Sequence, residues 1–546
     1  MSVTSAARKN SSRIYQDLRA SRLHSTIDSS IDGAPRRLSI MGMVLKQETL
    51  DPSRKPPHVG IIGAGLAGLR CADMLLTSGF RVTILEARNR VGGRMYQERL
   101  ANGHIVDAGP NWVHGTKDNP IMDLARETRT AVGGWDTTST VFDEEGTCLP
   151  LEDGTKYSTL MWNIIEDAFE HSNKHGSEID PDKTLLDFFQ EQVSVKIPDT
   201  ETDCEKKRHM LLQMSELWGA FVGSPINKQS LKFFWLEECL DGENLFCAGT
   251  YQKILEKIAE PAMDGADIRY LAQVSEIHGK STSVNNDTVR VKTTDGQVLE
   301  FNELVVTAPL GWLKQNLQAF YPPLPDRLSM AIENLGYGCL EKVYISFPKA
   351  FWLTPGADGR TVKGFCQWLS PNYALDSNPA KWTNEIVELA SLSPAAVAHP
   401  TLLFYIYGDE SHHVTSKVRS LTAKGEKEAF LYAFFKPYYS RLPSFDDASP
   451  DCQPTCYFAT DWLNDGLAGN GSYTNFQAGL QEGDKDVRTM RAGIPGEGVW
   501  LAGEHTAPFV ALGTVTGAYW SGEDVGRRIG LTYGRGGGKV AEKGLE

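Results

Sequence analysis

The stretch from His58 to Arg94 constrains this chain more than any other. It opens with a short apolar run, Val59 to Ile62, rich in β-branched residues. Gly63, Gly65 and Gly68 follow in the pattern G-x-G-x-x-G. Apolar residues then recur at Leu66, Leu69, Ala72, Leu75 and Leu76, the spacing of an amphipathic helix that ends at Gly79. Arg81 to Leu85 reads as a second strand, with Glu86 at its end. Each part has a physical role. Gly63 permits a tight turn, Gly65 lets a pyrophosphate approach the backbone, and Gly68 lets helix and sheet pack closely. The helix N-terminus presents free N–H groups and a positive dipole end to phosphate. A carboxylate about 20 residues on suits an adenosine ribose. Strand, glycines, helix, strand and acid together predict a dinucleotide site in a doubly wound α/β lobe.

The next residues narrow the choice of dinucleotide. Arg90-Val91-Gly92-Gly93-Arg94 brings the backbone close to the ligand a second time, and Arg94 can pair with a phosphate through its planar fork. With this second glycine pair the stretch resembles the flavin amine oxidase superfamily, which includes polyamine oxidases, monoamine oxidases and lysine-specific histone demethylases. The resemblance runs over roughly residues 57 to 530 and implies bound FAD. The fold it implies is a two-lobed flavoprotein, with a doubly wound FAD-binding lobe and an α+β substrate lobe built on a mixed sheet.

Length and composition set outer bounds. A chain of 546 residues, 41% hydrophobic and 23% charged, holds two lobes or one large layered unit. A net charge of −14 argues against nucleic acid as a partner and is compatible with a cationic substrate. The nine cysteines show no disulfide framework or zinc spacing and read as free thiols of a reducing compartment. No apolar run reaches bilayer length, so no membrane anchor is expected. Residues 1–56 are Ser-, Arg- and Lys-rich, with Asp17, Asp28 and Asp32 the only acids before residue 47. They read as a flexible leader of a cytoplasmic protein, with a mitochondrial transit peptide as the alternative.

The remaining motifs take their roles from the resemblance. The segment Gly103 to Gly115 is similar to the one that runs along the flavin, with Gly109 at the cofactor and His114 in a polar substrate-site position. Val274 falls where the family's backbone brackets adenine. Lys342, just ahead of the strand Val343 to Phe347, stands where a lysine holds a water against flavin N5; a buried lysine there can lose its charge and manage protons. Trp462 and Tyr473 match the W…G-S-Y pattern, Tyr473 forming an aromatic wall beside the flavin. Glu504 matches a glutamate near the ribityl-pyrophosphate, and Thr514-Val515 opens a helix aimed at the flavin ring. Lys342, His114 and Tyr473 are thus the expected catalytic residues, and no metal site is expected. Family members with covalent FAD use a cysteine in this terminal region. None follows Cys456, so non-covalent FAD is expected. A second aromatic wall would fall at Thr514, which leaves a roomier site.

The residues of the acidic group Glu237, Glu238, Asp241 and Glu243 read either as a solvated face or as an attractor for a substrate ammonium. The expected segments are FAD-binding 57–115, 240–325 and 455–530, substrate-binding 116–239 and 326–454, and a flexible tail 531–546. The implied activity is oxidation of a small amine, with hydride passing to flavin N5, imine hydrolysis, and O2 reduced to H2O2. A polyamine or acetylated polyamine is the first substrate class. The alternatives are another amine of secondary metabolism, histone lysine, an L-amino acid, or a flavin-binding scaffold without turnover. Oligomeric state is not legible.

Overall fold

The run after His58 becomes the central strand of a parallel sheet because its buried side chains are covered on both faces. The computed structural model describes residues 55–135, 139–280 and 287–535; the leader, apart from its last two residues, and residues 536–546 of the tail lie outside them. His58–Ile62 pairs with Arg81–Leu85 on one side and Glu303–Val306 on the other. Asp267–Arg269 and Val499–Leu501 complete the two edges, and all five strands are parallel. The chain moves outward from the centre through its first three strands, returns to the centre, and moves outward the other way. Such a reversal leaves a crevice at the strands' carboxyl ends, here beside Gly63 and Thr307, whose hydroxyl donates to the Ile62 carbonyl at 2.8 Å.

The helices Leu66–Thr77, Gln252–Gly265 and Val515–Thr532 share one core with this sheet, through Leu69, Leu75, Ile254, Ile258, Val525 and Ile529. The hairpin signal at Asp295-Gly296 joins Val289–Thr293 to Val298–Phe301, in a four-stranded sheet with Val274–His278 and Phe320–Tyr321.

A third, six-stranded sheet is mixed. Its order is Cys456–Ala459, Glu341–Ser346, Thr401–Ile406, Asn384–Glu388, Phe365–Trp368, Thr140–Phe142; every pair is antiparallel except the last. One face, with Val343, Ile386 and Phe404, packs against the helices Gly408–Ser420 and Lys424–Tyr439. Residues 348–450 read in sequence as short strands between Pro/Ser/Gly loops; the strands Phe365–Trp368, Asn384–Glu388 and Thr401–Ile406 are there, and the two helices are additional. Phe430, Phe434, Phe435, Tyr438 and Tyr439 crowd one helix with strand-forming aromatics, which hides its period. One boundary also moves. The strand expected from Val343 begins at Glu341, so Lys342 lies inside it. The helix Gln252–Gly265 runs on through Pro261.

Close packing of Leu66–Thr77 on Val515–Thr532 depends on Gly522, where a Cβ would collide with the Ala67 backbone. Alanine at Gly522 would gain about 1 kcal/mol of helix propensity. Overpacking against an unyielding backbone costs about 1–3 kcal/mol, so the collision wins. Gly522→Ala is expected to lower the denaturant midpoint; an unchanged or raised midpoint would show that the helices can separate freely.

Candidate active site

Gly63 leaves the first strand with φ of 100° and hands the chain to Gly65, above which a Cβ would meet nothing within 4 Å. That opening lies at the start of helix Leu66–Thr77, which among the described residues has no side-chain cap and no acid in its first turn. At Gly68 a Cβ would collide with the Gly63 carbonyl, which explains the third glycine. Glu86 closes the loop from below: Oε2 accepts the Ala64 N–H and Oε1 the Arg88 N–H, each at 2.7 Å. The second glycine pair docks on the first, the Gly92 N–H donating to Ala64 O at 2.8 Å. The Ala272 N–H donates to Glu86 O at 2.9 Å, which sets the buried Val274 two residues from the Glu86 backbone.

Arg94 Nη1 donates to Glu504 Oε1 at 2.9 Å, to Ser472 O at 2.7 Å and to Tyr337 OH at 3.3 Å. Its partners in the protein are thus a hydroxyl, a carbonyl and a carboxylate from the C-terminal half of the chain. Glu504 is buried, and its Oε2 accepts the Thr474 N–H at 3.4 Å.

The segment Asp107–Gly109 is held by three side chains, one to each carbonyl. Tyr344 OH donates to Asp107 O at 2.7 Å, Trp462 Nε1 to Ala108 O at 3.0 Å, and Lys342 Nζ to Gly109 O. Lys342 is buried, and burial pulls its ammonium well below the ordinary lysine range, opposed by the Asp107 and Glu341 carboxylates. Its Nζ lies 5.9 Å from the centroid of the Tyr405 ring. Tyr405 OH donates to Asn111 Oδ1 at 3.1 Å and accepts from Trp112 Nε1 at 3.0 Å. Tyr405, Asn111, Glu341 and Thr460 went unrecognised in the sequence. Tyr405 sits in the apolar run Thr401 to Tyr407, where only strand alternation could have set it apart.

Tyr473 is half-buried and its OH donates to Phe221 O at 2.7 Å. A Cβ on Gly513 would touch its ring at 3.5 Å, so Tyr473 stands at the start of helix Val515–Thr532. Thr514 is that helix's N-cap, its hydroxyl accepting the Gly517 N–H at 2.9 Å. His114 joins this end indirectly: its carbonyl accepts from Asn119 Nδ2 at 3.1 Å, and Asn119 Oδ1 accepts from Thr516 Oγ1 at 3.0 Å. Its ring bonds to Asn244, and burial lowers the imidazole pKa to about 4. No hydrogen bond joins His114 to Lys342 or Tyr473 among the described residues. The acidic group is split rather than uniformly solvated. Asp241 and Glu243 are exposed, whereas Glu237 turns inward to accept the Phe476 N–H at 3.2 Å, and burial pushes it up to about 8.

Comparison with known proteins identifies the family. The model of the flavin containing amine oxidoreductase family matches residues 66–530, and the chain belongs to that family. Probable polyamine oxidase 4 of Arabidopsis thaliana is 30% identical over 329 residues, 58% of this chain and 62% of that protein. Polyamine oxidase 2 of the same plant is 27% identical over 503 residues, 88% of this chain and 90% of that one. Lysine-specific histone demethylase 2 of Homo sapiens is 28% identical, over 85% of this chain and only 52% of its own length. The chain therefore spans about three fifths of the first of these and half of the last. A redesigned putrescine oxidase superposes with a TM-score of 0.63 over 87% of this chain and 99% of its own, at 18% identity, which speaks for the fold. FAD is the cofactor, and the open space above Gly65, the uncapped helix start and the buried carboxylate at the strand end fit its pyrophosphate and ribose.

A glutamine at Glu86 can accept only one of the two backbone N–H groups and sets its own NH2 against the other. A lost acceptor of this kind costs about 1–3 kcal/mol. Glu86→Gln is expected to weaken FAD binding at least about tenfold, measured by flavin fluorescence on dilution; wild-type retention would show that the loop stands without Glu86. The His114 ring is expected to titrate near 4 rather than 6.5 by NMR, remaining neutral at physiological pH. A midpoint near 6.5 would contradict its burial.

Proposed function

We propose that this flavin amine oxidoreductase oxidises a polyamine or acetylated polyamine, using O2 and non-covalently held FAD. The observation that carries the reading is Lys342: a buried lysine, its ammonium destabilised by burial, fixed to the Gly109 carbonyl and flanked by Tyr405. Near-full-length alignment with a polyamine oxidase supports the substrate class, whereas the demethylases are matched over about half their length. No cysteine follows Cys456, which supports non-covalent attachment. Among the described residues no helix is long and apolar enough to cross a membrane.

The bound flavin supplies a two-electron acceptor for the hydride on the amine's α-carbon, and O2 takes the electrons on as H2O2. The chain's residues do the rest. Neutral His114 accepts a hydrogen bond from the incoming amine and adds no positive charge of its own, which favours the uncharged amine that reacts. Tyr473 and Tyr405 give it aromatic faces, attractive to the cation as it enters. Lys342 exchanges a proton with a water at the reacting edge, since burial keeps its ammonium easily deprotonated. The N-terminus of Val515–Thr532, held open by the Thr514 cap, favours negative charge gathering in front of it. The packed sheets keep out bulk water, and the imine is hydrolysed to an aldehyde and an amine.

Anaerobic mixing with spermine, spermidine, their N-acetyl forms and simple monoamines tests this directly. Polyamines should bleach the flavin, and air should restore it with peroxide. Bleaching by other amines alone would refute the substrate class. Lys342→Met is expected to slow reduction or reoxidation on the order of 100-fold, the usual size of one acid–base contribution. Wild-type rates for both would remove Lys342 from the mechanism.

A further inference from the structure

The register of the six-stranded sheet carries an alignment that the site described so far does not use. Lys342 is paired with Tyr405, Tyr405 with Glu385, and Glu385 with Gln367, across four neighbouring strands. Register partners point to the same face, so these four side chains form one row. The face is the one opposite the two covering helices. Its neighbours Tyr344, Val387, Leu403 and Phe365 pack with Trp112, Trp135, Phe246 and Ala220. Trp112 stacks on Phe365 with centroids 5.8 Å apart and donates to Tyr405 OH. The row therefore starts at the lysine and runs outward beneath an aromatic wall.

Glu385 is the carboxylate of that row. It is 6% exposed, and its hydrogen bond is from Gln367 Nε2 to Oε2 at 3.1 Å. Among the described residues no lysine, arginine or histidine forms an ion pair with it. Gln367 Oε1 and Trp135 Nε1 are also buried without a partner. A buried carboxylate lacking a cation is costly, and burial accordingly pushes Glu385 up to about 7. A cation delivered between aromatic faces would satisfy it. Adjacent strands lie about 4.8 Å apart, which puts the Glu385 backbone about 10 Å from that of Lys342. A ligand with one amine at Lys342 and a second ammonium one short alkyl chain away bridges that separation.

We infer that Glu385 is the anchor for the distal ammonium of a diamine or polyamine whose other end is oxidised near Lys342, with Gln367 holding the carboxylate in place. The inference rests on the amine oxidase reading and adds the residue that sets its preference for two cationic centres. A monoamine of equal length reaches Lys342 but leaves Glu385 unpaired. Gln367 acts as a positioning residue, through Glu385.

The test measures anaerobic flavin reduction of the FAD-loaded protein by a series of α,ω-diamines and the monoalkylamines of matching length. The wild type should prefer diamines. In Glu385→Gln, which keeps volume and removes charge, the diamine-over-monoamine ratio of kcat/KM should fall on the order of 100-fold, as expected for loss of a desolvated charge pair. Glu385→Asp, which retracts the carboxylate by one methylene, should move the preferred diamine to a longer chain, a shift that a purely structural role would not produce. Flavin content and unfolding midpoint of each variant establish that it is folded. An unchanged ratio in folded Glu385→Gln, with the wild type still oxidising amines, overturns the anchor alone. Failure of every amine to reduce the wild type overturns the oxidase reading and the anchor with it.

Discussion

Three consecutive carbonyls, Asp107, Ala108 and Gly109, are each bound by a side chain from elsewhere in the chain. Two donors, Lys342 and Tyr344, alternate on a single strand of the mixed sheet; the third, Trp462, follows the neighbouring edge strand. Of the three residues Asp107 alone lies in a ladder, opposite Gln97, and backbone acceptors must be satisfied when buried. Here their satisfaction fixes the mixed sheet against the glycine-rich half. Alternation along Glu341–Ser346 sends Lys342 and Tyr344 to the carbonyls and Val343 and Ile345 to the helices behind. A one-residue slip would reverse both at once, so the register of this strand determines where the lysine stands.

The same region concentrates charge inside the protein. Arg94 meets the buried Glu504 there, and removing Arg94 would strand that carboxylate, at a cost of about 3–5 kcal/mol. Asp107 lies near Lys342 and is pushed upward by burial, yet it accepts the Tyr251 N–H and a Gln97 amide hydrogen, which favour its ionised form. Such pairs contribute little net stability compared with apolar packing. Their effect is to hold a lysine and an arginine in defined orientations and, at Lys342 alone, to narrow the gap between charged and neutral states, which proton handling requires.

Much of this was legible in the sequence where local chemistry dictates structure. The three glycines, Glu86, the second glycine pair and the Asp295-Gly296 hairpin each impose a backbone geometry that only a few residue types allow, and each could be placed by spacing alone. Lys342 could be singled out but not assigned to a strand, because its glycine-rich approach, Gly336 to Cys339, resembles a loop. The helices Gly408–Ser420 and Lys424–Tyr439 were illegible for a different reason: aromatic residues around the second one bury in several directions and erase the helical period. Thr514 was read for the aromatic it lacks. Its hydroxyl satisfies the Gly517 N–H at a helix start, so the position is under a capping constraint that an aromatic would not meet.

The row from Lys342 to Gln367 shows where such reading ends. Its members lie at 342, 405, 385 and 367, in an order that neither rises nor falls along the chain. No spacing rule links them, since each pairing is set by the meander of a mixed sheet and by loops that close at little entropic cost whatever their length. Local motifs mark where a dinucleotide can be held, because phosphate recognition is built from contiguous backbone. On the reading proposed for Glu385, recognition of the amine is built from side chains that only strand register brings together. What distinguishes one member of such a family from another therefore resides in the part of the chain whose local patterns say least.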